Sequence, residues 1–203
     1  MTTFWQEHQV GGPYATLEES EAALEARNGL YPGLYDLMPV DYPGQTVLDY
    51  GCGPGHDTLL FLRFGARKVY FADVSWQALQ TTHERLEMYG LRRRSTPLLL
   101  GLDEDLPLVE HVHCAGVLHH VDDPVSALLQ MRRALKNGEA RVMVYDGDIS
   151  EHSQSDVPIT EWWTRKEFIA LASEAGFKGE YIGSYACSSA WRPDCHAACY
   201  SLT

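Results

Sequence analysis

Thr46-Val47-Leu48-Asp49-Tyr50-Gly51-Cys52-Gly53-Pro54-Gly55-His56-Asp57 is the stretch that decides the fold. A short apolar run ends in an acid, and glycine then recurs at every second position. That order predicts a buried strand, a tight turn and the start of a helix. Glycine lets the backbone take positive φ and lets a ligand lie against the main chain. The helix that follows points unpaired N–H groups and a positive dipole end into the turn. The stretch reads as a nucleotide-type binding site.

Working outward from it, strand and helix patterns alternate. Gln45 to Tyr50 is the first strand, and His56 to Phe64 a helix stopped at Gly65. Lys68 to Ala72 is a second strand, followed by a helix from Ser75 to Tyr89 with Gly90 as its stop. Pro97 to Gly101 and His111 to Ala115 are the third and fourth strands. Asp123-Pro124 opens a helix with proline in its first turn, ending at Asn137-Gly138, and Glu139 to Tyr145 is the fifth strand. Strands separated by helices build a parallel sheet covered on both faces, with ligands bound at the C-terminal ends of the strands.

The flanks differ from this core. Residues 1–15 contain Phe4, Trp5, His8 and Gly11-Gly12-Pro13-Tyr14, too polar and broken for a regular element. Thr16-x-x-Glu19 is a capping box that starts a helix running to Asn28-Gly29, and Leu30, Leu34, Leu37 and Met38 predict a second helix closed by Pro39. Beyond the core, Thr164-x-x-Glu167 caps a last helix that stops at Gly176. Glu180 to Cys187 and His196 to Leu202 follow as strands, joined by a link too short for a helical crossover. The expectation is an α/β, Rossmann-like, doubly wound seven-stranded sheet, mostly parallel with a C-terminal antiparallel strand, plus an N-terminal helical lid. It forms one domain of 203 residues, divided into a lead-in (1–44), a cofactor-binding core (45–146) and a substrate loop with last helix and hairpin (147–203).

The formal net charge of −12 argues against a nucleic-acid partner, which needs clustered Lys and Arg. The basic run Arg92-Arg93-Arg94 fits a solvated helix terminus. No apolar run approaches the ~20 residues that span a bilayer, and the N-terminal residues lack the pattern of a secretory signal. A cytoplasmic protein without membrane contact is expected. Its odd number of cysteines, five, suggests free thiols. Cys195, His196 and Cys199 raise a metal site, but Cys195 and Cys199 share one strand face as buried cysteines do, so no metal is expected.

Dinucleotide oxidoreductases favour G-x-G-x-x-G, whereas Gly51, Gly53 and Gly55 are spaced two by two. Asp49 would repel a pyrophosphate there. It suits an amino-acid sulfonium ligand, which brings an ammonium group and no phosphate. Four motifs in order then resemble the class I S-adenosylmethionine-dependent methyltransferases. They have a type-11 methyltransferase domain, as in the quinone-biosynthesis methylases that act on small molecules. The first is Val47 to Gly55. The others are Asp73 in Phe71-Ala72-Asp73-Val74-Ser75, Gly116-Val117-Leu118-His119-His120-Val121, and Arg132 to Glu139. The loop after the third strand departs from the family pattern, with Leu102 and Asp103 where Asp and Ala are usual.

The resemblance implies S-adenosyl-L-methionine as cofactor and S-adenosyl-L-homocysteine as product. Asp49, Gly51, Cys52, Gly53 and Gly55 would hold its methionine end, Asp73 and Val74 its ribose, and Leu102, Asp103 and Gly116 its adenine side. His119, His120 and Tyr145 are candidates for orienting or deprotonating the acceptor, and Asp146 leaves the same strand end. Tyr14 and Arg27 are candidate lid contacts to the cofactor carboxylate, since a guanidinium pairs bidentately with a carboxylate, against the alternative of a surface salt bridge. Trp162 and Trp163 are candidate walls of the acceptor pocket, against the alternative that one staples the last helix. The implied reaction is one-step methyl transfer to a small-molecule acceptor. A protein that binds the cofactor without transferring methyl remains an alternative, as does a nicotinamide-dependent oxidoreductase. Oligomeric state is not legible.

Overall fold

β1 (Thr46–Tyr50) is buried along its whole length because it lies in the middle of the sheet, between β2 (Lys68–Asp73) and β4 (Val109–Ala115), both parallel to it. The structure, a computed structural model, describes residues 2–8, 11–30, 33, 35–38, 42–102, 105–145, 163–186 and 196–203. β3 (Ser95–Leu99) pairs with β2, and β5 (Leu135–Tyr145) with β4, again in parallel. β6 (Gly179–Ala186) and β7 (His196–Leu202) complete seven strands in the order β3-β2-β1-β4-β5-β7-β6. β7 runs antiparallel to both its neighbours, so the sheet ends in the expected hairpin.

The helices are α1 (Thr2–Glu7), α2 (Leu17–Leu30), α3 (His56–Arg63), α4 (Trp76–Met88), α5 (Pro124–Ala134) and α6 (Arg165–Glu174). Successive strand residues face opposite sides of the sheet, which divides the core in two. Val47, Val69 and Phe71 pack with Leu59 and Phe61 of α3, Leu79 and Leu86 of α4, and Leu24 of α2. Leu48, Val112 and Val142 pack on the other side with Leu128 and Met131 of α5 and Phe168 of α6. The same alternation explains β4, whose histidines make it an odd strand in sequence. Val112 and Cys114 join the second cluster, while His111 and His113 point toward α3, His111 edge-on to Tyr42 and both against Phe61.

β3 and β4 each begin two residues before the sequence reading, at Ser95 and Val109, and three elements differ more. Residues 2–7, expected to be irregular, form α1, and His8 closes it by bonding the Phe4 carbonyl at 2.9 Å and stacking on the Phe4 ring. α2 continues through Gly29 to Leu30, and in place of the second helix the described residues show a 3₁₀ turn at Tyr35–Leu37. β5 begins at Leu135, not Glu139, because Leu135 is extended and pairs with Val109 at the start of β4. The basic run is partly structural. Arg94 donates to the carbonyls of Leu62, in the last turn of α3, and of Ala66, just beyond it.

Candidate active site

Local chemistry shapes the turn after β1. The N–H groups of Gly51 and Cys52 both donate to the Ala72 carbonyl, at 2.8 and 2.9 Å, which bends the chain toward the end of β2. Gly51, Gly53 and Gly55 all take positive φ, 80°, 50° and 75°. Their surroundings differ. A Cβ on Gly51 would stand 2.2 Å from Cγ2 of Val117, and one on Gly55 2.6 Å from Cγ2 of Thr82. A Cβ on Gly53 or on Gly116, just past β4, would meet no atom within 4 Å. Two glycines are therefore required by packing and two border open space at the C-terminal edge of the sheet. Thr82 of α4 pins the turn by donating to the Gly53 carbonyl at 2.9 Å. No side chain caps α3, so its first N–H groups face the turn.

Two acids flank this space. Asp73 ends β2, and its Oδ2 accepts from Gly53 N–H and its Oδ1 from Ser75 N–H, both at 2.9 Å. Burial pushes its carboxyl above the ordinary range, against the pull of these N–H groups and that of Val74. Each oxygen keeps one lone-pair direction for a further donor, a fit to two ribose hydroxyls. Asp49, in β1, is buried, and its Oδ2 accepts from the Thr58 hydroxyl at 2.5 Å. Burial raises its carboxyl too, with His113 pulling it down and Asp57 pushing it up. An acid beneath an open glycine turn suits an ammonium and repels a phosphate.

The lead-in docks on the outer side of the turn. A Cβ on Gly11 would lie 3.3 Å from Pro54, and the Tyr14 hydroxyl is 3.3 Å from His56 Nε2. Arg85, a fully buried arginine of α4, donates to the Ser20 hydroxyl and carbonyl and to the Pro54 carbonyl, with the Tyr14 ring over its guanidinium. Arg27 forms a two-pronged ion pair with Asp57 in the first turn of α3, at 2.6 and 2.8 Å. Its guanidinium thus holds one of the protein's own carboxylates, the salt-bridge alternative to a lid contact.

Trp163 is 7% exposed, lies at the residue before the Thr164 cap, and packs on Phe168 with ring centroids 5.8 Å apart. That is a hydrophobic staple at the start of α6, the alternative that the sequence left open beside a pocket wall. His119 and His120 form a 3₁₀ turn with Leu118 after β4, rings 4.0 Å apart. His119 is buried, which holds its imidazole well below the ordinary range and so neutral, and His120 is half-buried with Trp5 of α1 edge-on at 4.8 Å. Cys52 is also buried, its thiol directed to Thr82 and the Gly53 carbonyl and pushed well up by burial and the two acids. Leu102 stands 75% exposed beyond β3. Tyr145 ends β5 opposite Ala197. Asp103, Asp146, Trp162 and Cys195 lie outside the described residues.

Five contributors escaped the sequence reading: Thr58, Thr82, Arg85, Asp57 and His113. Only His113 left a signal, the alternation His111-Val112-His113-Cys114 that places both histidines on one strand face. A groove between α2 and the end of α4, lined by Glu18, Glu21, Glu25 and Tyr89, shares no residue with the turn or its acids and is not part of the site. Among the described residues, no group of three or more His, Cys, Asp or Glu side chains is placed to hold a metal, and no helix is long and apolar enough to cross a membrane.

The parallel sheet, the glycine turn and the two acids beside it define a Rossmann-like domain. Residues 47–138 match a family profile described as "Methyltransferase domain". The fold is shared with an S-adenosylmethionine-dependent methyltransferase from Aquifex aeolicus (TM-score 0.66, 18% identity, 89% of this chain and 97% of that one). It is also shared with one from Mesorhizobium loti (TM-score 0.64, 19% identity, 85% and 96%). Residues 47–138 thus carry a methyltransferase domain, in a fold shared with S-adenosylmethionine-dependent methyltransferases. Curated relatives include the tRNA U34 carboxymethyltransferase of Pseudomonas paraeruginosa, 30% identical over 174 residues. That match covers 70% of this chain and 54% of that protein. The enzyme of the same name from Actinobacillus pleuropneumoniae is 32% identical over 111 residues, 52% of this chain and 35% of that protein. The chain thus spans between about a third and about half of the length of these relatives. Their name overturns the exclusion of nucleic acid drawn from net charge. A charge total is a whole-molecule sum and does not locate the charges that meet a substrate.

Proposed function

We propose that this chain is a cytoplasmic enzyme that transfers a methyl group from S-adenosylmethionine to an acceptor held at the C-terminal edge of the sheet. The observation that carries this reading is Asp73, whose carboxylate is braced by Gly53 and Ser75 N–H beside two glycines that open onto empty space. Asp73 accepts from the ribose hydroxyls, Gly53 and Gly116 admit the cofactor against the backbone, Asp49 faces its ammonium, and exposed Leu102 covers the adenine. When bound, the cofactor supplies an electrophilic methyl on a sulfonium. The protein's part is to orient that methyl toward the nucleophile and exclude water. His120, with Trp5 against it, and Tyr145 stand on the acceptor side. His119, buried and neutral, supports that turn.

The acceptor in this reading is a small molecule. A second reading, transfer to tRNA, is favoured by the name of the relatives, which also specifies a carboxymethyl group. The test is transfer of label from methyl-labelled S-adenosylmethionine to a metabolite extract and, separately, to bulk tRNA, with product masses read in both. Label in the extract supports the first acceptor, and label in tRNA supports the second. S-adenosylhomocysteine binding with no transfer to either would leave a cofactor-binding protein. NADH binding without S-adenosylhomocysteine binding would overturn the reading altogether.

A further inference from the structure

The acid beneath the glycine turn belongs to a larger buried cluster. Asp49 pairs across the β1–β4 ladder with His113, so both side chains lie on the α3 side of the sheet. Thr58 donates to Asp49, and its neighbour Asp57 receives His113 at 3.1 Å from Nε2. With Asp57 ionised, Nε2 is the donor, while His113 Nδ1 is buried without a hydrogen-bond partner. The fork of Arg27, reaching down from α2, closes on both oxygens of Asp57. The side chains of Asp57 and Arg27 are 8% and 18% exposed, so water screens this pair weakly. Asp49 also acts on the thiols of Cys52 and Cys114, which burial keeps protonated.

We propose that Arg27 is a positioning residue for the cofactor: by neutralising Asp57 it leaves the charge of Asp49 beneath the glycine turn for the ammonium group that binds there. The inference rests on Asp49 being the partner of that ammonium. Two carboxylates sharing a poorly solvated space do not both stay ionised without a cation. Removing the Arg27 charge returns Asp57 to competition with Asp49, and one of them takes up a proton. Asp49 already lies above the ordinary range through burial, with Arg27 among the groups holding it down. Without Arg27, its ionisation requires a higher pH. The lead-in is thus coupled to the cofactor by charge, and not only by covering the turn.

The test is the dissociation constant of S-adenosylhomocysteine, measured by calorimetry from about pH 5.5 to about pH 9, a span that brackets a raised carboxyl. In the wild type, affinity falls as pH drops through the ionisation of Asp49. In Arg27→Gln that fall is expected about one pH unit higher, giving roughly tenfold weaker binding within the window and little change above it. The double variant Arg27→Gln/Asp57→Asn, which removes both charges, is expected to return the profile to the wild-type midpoint. A profile of Arg27→Gln that superimposes on the wild type overturns the inference, as does equal weakening at every pH, which loosened docking of the lead-in alone would produce. Should Arg27→Gln fail to fold, Arg27→Met, which keeps the aliphatic stem and removes the charge, carries the test: a shift of the same sign supports the proposal and no shift overturns it. Asp49→Asn separates the two levels. If it leaves affinity intact, the ammonium reading fails and this inference with it. If it loses affinity while Arg27→Gln shows no shift, only the role of Arg27 fails.

Discussion

Replacing Asp73 by Asn changes one atom of the site and tests the ribose assignment. In the wild type each carboxylate oxygen accepts one backbone N–H, from Gly53 or Ser75, and has one lone-pair direction left for a ribose hydroxyl. The amide keeps one oxygen. Whichever way it is turned, its NH₂ faces one of the two N–H donors, so one of them loses its partner and one ribose hydroxyl loses its acceptor. The first loss costs about 1–3 kcal/mol of stability, a fall in melting temperature of roughly 2–4 °C per kcal/mol. The second removes a hydrogen bond to a charged group, ~1.5–3 kcal/mol, or about a 10- to 150-fold rise in the dissociation constant of S-adenosylhomocysteine. Asp73→Ala removes both acceptors and is expected to bind more weakly still. Calorimetry well above neutral pH, where the raised carboxyl of the wild type is ionised, reads the binding term, and thermal unfolding reads the stability term separately. A lower melting temperature with unchanged affinity in both variants would refute the ribose assignment and leave Asp73 a brace for the turn.

Two further predictions concern the turn and the buried histidines. Gly55→Ala and Gly53→Ala both place alanine at positive φ, which costs ~1–2 kcal/mol, but only the Gly55 variant also meets Thr82 at 2.6 Å. Gly55→Ala should therefore show the larger drop in melting temperature and Gly53→Ala the larger loss of S-adenosylhomocysteine affinity. The reverse order would mean that the open space beside Gly53 is not where the cofactor lies. His111 and His56 are each lowered to about 3 by burial, His56 also by the nearby charges of Arg85 and Arg27. A depressed folded value means stability that is fully present above the unfolded value of about 6.5 and is lost progressively as pH falls toward about 3. His111→Phe, which suits a site between Tyr42 and Phe61, should lose less melting temperature between about pH 7 and about pH 5 than the wild type. Parallel loss in the two proteins would show that His111 does not carry the acid sensitivity.

What could be read from the chain alone was whatever local chemistry controls. The order of strands and helices follows from hydrophobic period, from turn residues and from caps such as Thr164-x-x-Glu167, which forms the complete box. The antiparallel end follows from the length of a link. The glycine turn and the acid after β2 are legible because positive φ and a carboxylate at a strand end are properties of consecutive residues. β4 was readable in principle, since the alternation of His111 and His113 with Val112 and Cys114 is a strand signal once histidine is allowed inside. The early start of β5 at Leu135 was not, because its cause is a partner, Val109, that is distant in sequence.

The partners of side chains were decided by tertiary structure. Arg27 suits any carboxylate, and only the docking of α2 against α3 brings it to Asp57 instead of to the cofactor. Trp163 suits a pocket wall as well as a core, and the seating of α6 on the sheet put it inside. Spacing shows that Gly51 and Gly55 must be small but not what crowds them, Val117 from beyond β4 and Thr82 from α4. Period and backbone preference act over a few residues, whereas burial, ion pairing and steric contact depend on which distant segments share a space, and that is settled only when the whole sheet closes on its helices.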